Sequence, residues 1–239
     1  MSEITTAVIL CGGQGTRLRP ITYEIPKPLI PVHGKAVVEH IFDLLKRHGI
    51  TEVVLSVGYL KERIRDHFGD GSRCGMRISY LEEREPLGTA GPIRLLKEQG
   101  LLPSGPFVVS NGDELKDIDI DAMLAVHKRV GALATDALTP VSDPSLYGIA
   151  RLEGDLIRAF VEKPAKGTEP SNLANAGFYI LEPAVAELIP AGFAQLELAV
   201  FPKLAAEGRL AGFPFAGQWF DTGNFERYER AIKEWKGLS

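Results

Sequence analysis

The chain has 239 residues, which fits one large domain or two small ones, and its 45% hydrophobic and 24% charged content is ordinary for a soluble globular protein. A formal net charge of −4 leaves no broad basic field for a nucleic-acid backbone, so a nucleic acid is not expected as a partner, whereas a small anion held by a few local cations is. Two cysteines, Cys11 and Cys74, exclude a disulfide scaffold and a cysteine zinc cluster, and Met1–Thr6 carries no basic or long apolar segment, so no signal peptide, no membrane partner and a cytoplasmic protein are expected.

The elements follow from periodicity and turn residues. Ala7–Leu10 is a short buried strand. Lys35–His48 places Val38, Ile41, Phe42, Leu44 and Leu45 on one helical side, and Gly49 ends it. Glu52–Val57 reads as a strand, Leu60–Phe68 as a short helix, Arg77–Leu81 as a strand, Gly88–Gln99 as a helix and Pro106–Ser110 as a strand. Ile120–Arg129 is then a helix and Ala132–Pro140 a strand. Gly148–Leu152 and Leu156–Glu162 flank Glu153-Gly154-Asp155, a hairpin signal. Asn175–Leu181 is a strand, Leu196–Glu207 a helix, Leu210–Phe215 and Gln218–Phe220 strands, and Asn224–Trp235 a closing helix.

Strands alternating with helices predict an α/β fold: a Rossmann-like, mixed but mainly parallel sheet with helices on both faces and a small β subregion. A single domain over 1–239 is expected, with a first half to about residue 140 and a second from about 141. Such sheets bind ligands beyond the carboxyl ends of their strands. Three unusual loops sit there, Cys11–Pro31, Glu82–Gly91 and Asn111–Lys116, and are expected to share one crevice.

The densest signal is Leu10–Pro20 (LCGGQGTRLRP). Gly12, Gly13 and Gly15 allow a tight backbone that presents bare N–H groups to an anion. Arg17 and Arg19 add guanidinium groups, which fork onto phosphate oxygens and stay protonated. No Gly-Lys-Ser/Thr follows, which excludes a Walker loop, and Leu18 stands where a dinucleotide fingerprint needs glycine. The competing reading is a glycine-rich turn with two solvated arginines; the coincidence of strand, glycines and arginines favours a triphosphate. Prolines then restrict the backbone on both sides of Lys27.

Leu10–Pro20 followed by Pro26-Lys-Pro-Leu29 resembles the signature of the sugar nucleotidyltransferases, or nucleotide-sugar pyrophosphorylases. The resemblance continues through Pro86-Leu-Gly-Thr-Ala-Gly91, Asn111-Gly-Asp113, Tyr147-Gly148, Glu162-Lys-Pro164, Asn175-Ala-Gly177 and Trp219-Phe-Asp-Thr-Gly223, in the family's order and over nearly the whole chain. It implies transfer of a nucleotidyl group from a nucleoside triphosphate to a sugar 1-phosphate, with release of pyrophosphate and use of Mg2+. It implies catalytic roles for Arg17, Lys27 and Lys163. It implies nucleotide binding by Leu10, Gly12, Gly13, Gly15, Thr16, Arg17, Lys27, Glu83, Gly88, Thr89 and Asp113. Sugar binding would fall to Gly148, Glu162, Lys163, Asn175 and Gly177, and metal binding to Asp113 and Asp221.

Several of these residues have plainer readings on their own. Asp113 and Asp221 could each cap a turn, Glu162 and Lys163 could be a surface ion pair, and Gly148, Asn175 and Gly177 could be turn residues. Glu114 departs from the apolar residue usual after this aspartate and is expected to be solvated. Either Glu83 or Glu85 could read a base; a carboxylate there suits the two adjacent donors of guanine. Glu85–Pro92 and Val200–Gly208 carry a likeness to mannose-1-phosphate guanylyltransferases, which implies GTP and mannose 1-phosphate. Thymidylyl- or uridylyltransferases and heptose 1-phosphate guanylyltransferases resemble the chain too. A non-catalytic nucleotide-sugar sensor on the same fold is expected to lack one of Arg17, Lys27, Asp113, Lys163 and Asp221, all of which are present. The chain stops soon after Asn224–Trp235, so no left-handed β-helix extension is expected. A homo-oligomer is compatible with all of this.

Overall fold

The computed structural model describes residues 4–239; Met1–Glu3, part of the segment read as carrying no leader, lie outside the described residues. In chain order the strands are β1 (Thr6–Cys11), β2 (Pro31–Val32), β3 (Lys35–Ala36), β4 (Glu52–Val57), β5 (Arg77–Glu82), β6 (Phe107–Asn111), β7 (Glu114–Lys116), β8 (Ala134–Pro140), β9 (Gly148–Glu153), β10 (Leu156–Glu162), β11 (Leu173–Leu181), β12 (Leu210–Pro214) and β13 (Trp219–Asp221). The helices are α1 (Val37–Arg47), α2 (Lys61–Phe68), α3 (Gly91–Glu98), α4 (Ile120–Val130), α5 (Phe201–Ala206) and α6 (Phe225–Glu234). The fold is a mixed α/β fold, as expected, and it divides into two compact units. Among the described residues, one comprises 4–86, Ser110–Ile118 and Gly217–Ser239, the other Leu87–Val109 and Asp119–Ala216.

In the first unit, β5, β4 and β1 lie side by side in parallel, with Val8 opposite Val54 and Val54 opposite Ser79. Parallel strands need a crossover, and the amphipathic helices α1 and α2 supply both connections. Helix α1 buries Val37, Val38, Ile41, Phe42, Leu44 and Leu45, the stripe its 3.6-residue period dictates. Its Phe42 ring meets Phe68 of α2 edge-on, with centroids 5.2 Å apart. The backbone N–H of Ala36 donates to Glu39 at 2.7 Å, satisfying one free donor at the helix start. A second small core joins Val32, Val37, Leu115, Phe220, Ala231 and Trp235. It holds the two-stranded antiparallel pair β7–β13, in which Asp221 stands opposite Glu114.

In the second unit the strand order is β11-β8-β12-β10-β9, and β9 also pairs β11, so five strands complete a ring of pairings. β8 and β12 are parallel; the β11–β8, β10–β12 and β10–β9 pairs are antiparallel. The hairpin around Gly154 is present, with Gly154 at φ 60°, where glycine carries no Cβ penalty. The segment expected to be one helix over Leu196–Glu207 begins instead as a π turn, Leu196–Val200, and becomes α-helical at Phe201. No described helix is long and apolar enough to cross a membrane.

Candidate active site

The glycine loop leaves the carboxyl end of β1, where the parallel strands deliver their unpaired backbone groups. Gly15 sits in the left-handed region at φ 62°, and its carbonyl accepts hydrogen bonds from the Thr22 hydroxyl at 2.8 Å and from Leu18 N–H at 2.9 Å. A methyl at Gly15 would come within 2.9 Å of Thr22 and 3.3 Å of the Lys27 Cβ, so the loop folds directly onto the Lys27 segment. Tyr59 donates to the Thr22 carbonyl at 3.0 Å, fixing the turn from a second side. Gly13, Thr16 and Arg17 remain exposed and open to a ligand. Arg19 turns away from the nest and covers the Tyr23 ring at 5.0 Å.

Residues at the ends of β4, β5 and β6 converge on this loop. Gly112 N–H donates to the Leu10 carbonyl at 3.0 Å, which sets Asp113 beside the glycine turn. A methyl at Gly112 would press on the Cys11 Sγ and the Leu10 oxygen, both at 2.8 Å, so the Asn111-Gly112-Asp113 spacing is a packing requirement. Burial pushes the Cys11 thiol up, and the nearby Asp113 and Glu83 carboxylates push it further. Cys11 is therefore a buried, protonated wall of the loop. Glu83 lies against Gly12: a methyl there would meet Glu83 Oε1 at 2.5 Å. Ser56 donates to the same oxygen at 2.8 Å and holds the carboxylate in place. Glu85 is exposed.

Lys27 is buried and ion-paired with Asp113. Burial alone would raise the Asp113 carboxyl, but the Lys27 ammonium, assisted by Lys116, outweighs it and holds Asp113 below the usual carboxylate range. Asp221 accepts from Arg227 Nη1 at 3.1 Å on both oxygens and from Gly223 N–H at 2.9 Å. The link between the two aspartates is Thr222, whose hydroxyl and N–H both donate to the Asp113 carbonyl, at 2.8 and 3.2 Å. A methyl at Gly223 would lie 2.7 Å from Asp221 Oδ1 and 3.3 Å from Arg17 Nη2, so the Arg17 guanidinium and the Asp221 carboxylate meet over this glycine.

Two carboxylates tied together by backbone, with Lys27 and Arg17 beside them, fit a small cation that takes oxygen ligands. The donor set contains no sulfur or imidazole, which suits magnesium better than zinc.

Glu114 is not solvated, contrary to the expectation. It is buried, and its carboxylate accepts from Asn111 at 3.0 Å, Trp219 Nε1 at 3.0 Å and the fully buried Lys116 at 3.2 Å. Burial pushes its carboxyl up against the pull of Lys116. The reason is β7, a strand absent from the sequence reading. Its period of two puts Glu114 and Lys116 on one side, and pairing with β13 brings in Trp219.

In the second unit, Glu162 stands opposite Gly148 in the β10–β9 ladder. A methyl at Gly148 would come within 2.6 Å of Glu162 Oε2 and 2.7 Å of the Phe160 ring. Lys163 follows with φ 46°, a left-handed conformation that costs a non-glycine residue of order 1–3 kcal/mol. Its ammonium is mostly exposed and lies 3.1 Å from Glu162. Asn175 accepts from Gly177 N–H at 2.7 Å and donates to Tyr179 at 2.9 Å. Gly88 adopts φ 75° and packs so closely on the Ala194 carbonyl that a methyl would meet it at 2.3 Å. The Thr89 hydroxyl donates to Glu197 at 2.6 Å.

The nucleotidyl transferase family profile matches residues 6–236. The chain belongs to that family. The chain is 40% identical to the mannose-1-phosphate guanyltransferase beta-A of Xenopus laevis over 220 residues, 91% of this chain. It spans 61% of that relative's length. Among solved structures, HddC from Yersinia pseudotuberculosis complexed with GMP-PN superposes with a TM-score of 0.80 at 26% identity, covering 98% of this chain and 100% of the other. A UDP-glucose pyrophosphorylase complexed with UDP-glucose superposes with a TM-score of 0.83 at 25% identity, covering 96% and 97%.

The structure thus gathers Leu10, Gly12, Gly15, Arg17, Lys27, Glu83, Asp113 and Asp221 in the first unit. Gly88, Thr89, Gly148, Glu162, Lys163, Asn175 and Gly177 lie in the second. Ser56, Thr222, Arg227, Tyr179 and Glu197 escaped the sequence reading. Only Thr222 carried a legible signal there, as part of the Asp-Thr-Gly turn.

Proposed function

We propose that the protein makes a nucleotide-sugar and pyrophosphate from a nucleoside triphosphate and a sugar 1-phosphate, with GTP and mannose 1-phosphate as the pair. The observation that carries this reading is the meeting of the glycine loop, Arg17, the Lys27–Asp113 pair and Asp221 in one place. Glycine N–H groups and Arg17 suit the phosphates of a triphosphate. Glu83, held against Gly12 by Ser56, is the carboxylate suited to the base, in preference to the exposed Glu85. The 40% identity to a mannose-1-phosphate guanyltransferase supports guanine and mannose.

The sugar phosphate oxygen is the nucleophile and attacks the α-phosphorus in line, displacing pyrophosphate. A phosphate monoester is already ionised, so no general base is needed, and catalysis consists of positioning and charge neutralisation. Arg17 meets the charge that grows on the departing pyrophosphate. Lys163, with its exposed ammonium and fixed backbone, offers a cation to the sugar phosphate, and Glu162 accepts from sugar hydroxyls. Asp113 and Asp221 would hold Mg2+, which supplies charge neutralisation at the phosphates when bound. Lys27 shares the Asp113 carboxylate and offers a buried cation beside the glycine loop for the triphosphate.

The test is pyrophosphate release from five nucleoside triphosphates against several sugar 1-phosphates, with magnesium present. Fastest turnover with GTP and mannose 1-phosphate is expected. Preference for a thymidine or uridine triphosphate would reject the base assignment, and nucleotide-sugar binding without turnover would reject the enzyme.

A further inference from the structure

We infer that Glu197 is a positioning residue that sets the amide of Asn175 and the loop carrying Thr89 through one buried chain of hydrogen bonds. The inference rests on the proposed reading of Asn175 as a sugar-binding residue.

Glu197 occupies the second position of the π turn Leu196–Val200. Such turns are rare, spoil the regular helical ladder, and recur where a side chain must be aimed. Here the aim is inward. Glu197 is only 9% exposed, and its partners are hydroxyls, not cations. A buried carboxylate without a cation is costly unless its oxygens are fully hydrogen-bonded. Burial, together with the neighbouring Glu162, pushes its carboxyl up despite those hydroxyls. A side chain kept at such a cost invites a functional explanation.

The direction of every bond in the chain is fixed. Leu196 N–H donates to the Thr89 oxygen at 2.9 Å, so the Thr89 hydrogen is left to donate to Glu197 Oε2 at 2.6 Å. Asn175 Nδ2 donates to the Tyr179 oxygen at 2.9 Å, so the Tyr179 hydrogen is left for Glu197 Oε1 at 3.1 Å. At the far end, Gly177 N–H donates to Asn175 Oδ1 at 2.7 Å. Within this chain each hydroxyl both takes and gives a hydrogen bond, and Glu197 accepts from both sides. The Asn175 amide therefore cannot turn over without losing partners at both ends. The Tyr179 ring is itself fully buried and packed edge-on against Phe201 at 5.3 Å, so the hydroxyl cannot drift.

A residue with two acceptor oxygens is needed at the centre. Glutamine offers one acceptor and one donor, so one arm of the chain must reverse. If the Tyr179 arm reverses, the Asn175 amide loses its defined orientation.

The experiment is steady-state pyrophosphate release with GTP and mannose 1-phosphate, using wild type, Tyr179→Phe and Glu197→Gln. Tyr179→Phe keeps the ring and cuts only the Asn175 arm. It is expected to raise the KM for mannose 1-phosphate about tenfold, while kcat and the KM for GTP stay within about twofold of wild type. Glu197→Gln is expected to raise one of the two KM values, that for mannose 1-phosphate where the Tyr179 arm reverses or that for GTP where the Thr89 arm does. An unchanged mannose 1-phosphate KM in Tyr179→Phe overturns the inference, as does a uniform loss of kcat with no KM split, the sign of a merely structural role. If Glu197→Gln does not fold, Tyr179→Phe decides alone. Wild type that releases no pyrophosphate from any substrate pair defeats the proposed function, and this inference with it; active wild type with unresponsive variants defeats the inference only.

Discussion

Arg17 and Glu114 show how differently two charged residues near one aspartate can act. Arg17 is exposed, reaches Asp221 over Gly223, and has no role in the core. Arg17→Ala is therefore expected to leave the circular dichroism spectrum and melting temperature unchanged, and to lower kcat by roughly 10²–10³, the range typical of a lost charge-stabilising donor. A folded Arg17→Ala enzyme with near-normal pyrophosphate release would remove Arg17 from the chemistry. Glu114 is the opposite case, buried against Lys116, which has no exposed side-chain surface. Glu114→Gln removes one of the buried counter-charges around Lys116 and weakens a charged hydrogen bond, so it is expected to cost about 1.5–3 kcal/mol in urea unfolding. Glu114→Leu combined with Lys116→Met removes both charges and should recover much of that loss. A double variant no more stable than Glu114→Gln would show that the pair is not the source. The sequence could not announce this pair, because a glutamate beside Asn-Gly-Asp reads as surface. Only the spacing of two from Lys116 hinted at a shared strand face, and Trp219, the third partner, is a hundred positions away.

The elements divide into those with a periodic signature and those made by distant pairing. Helix α1, strand β4 and the β9–β10 hairpin were legible because their apolar spacing or turn residues are local properties. Strand β7 has three residues and exists because β13 pairs with it, so no window of sequence around it carries its signal. The π turn at Leu196–Val200 is hidden for a related reason: its apolar residues fit a helix, and the register break serves Glu197, whose partners Thr89 and Tyr179 are remote. The candidate site follows the same division. Its glycines, arginine, lysines and aspartates stood out as short blocks, while Ser56, Tyr179 and Glu197, which bond to Glu83, Asn175 and Thr89, sit in ordinary strand and helix sequence. Helix α4 tests the local side of this account. Asp119 is its N-cap and accepts from Ala122 N–H at 2.9 Å. Asp119→Ala is expected to lower stability by about 1 kcal/mol, read from urea unfolding. The KM values should not move, because Asp119 is not among the candidate site residues. A change in substrate KM at unchanged stability would contradict a purely capping role.

For the whole molecule, pH couples to folding through groups whose protons bind differently in the native and unfolded chain. His40 and His127 both lie below the ordinary histidine value of 6.5, in each case because burial disfavours the imidazolium. For His127, Glu182 opposes this depression and Lys128 reinforces it; Thr135 shares its other ring nitrogen at 2.7 Å. With the native pKa depressed, the unfolded chain takes up a proton first as the solution is acidified. Stability then rises with pH wherever the unfolded state binds more protons. The His127 contribution is thus complete above 6.5 and is lost as pH falls from there toward the native value. Glu197 and Glu114 act with the opposite sign, since their native carboxyls are pushed up from 4.5 and acid favours their folded form. Total stability alone cannot separate these effects, but a variant can. His127→Gln keeps a side chain able to hydrogen-bond Thr135 and Glu182 and removes the titration. Urea unfolding of both proteins from about pH 7.5 to about pH 5.5 is expected to show wild type losing stability faster than His127→Gln. The difference between them should shrink or reverse toward the acid end. Parallel curves across that window would mean that His127 takes up its proton equally in the folded and unfolded chains, and that burial at α4 does not set its charge.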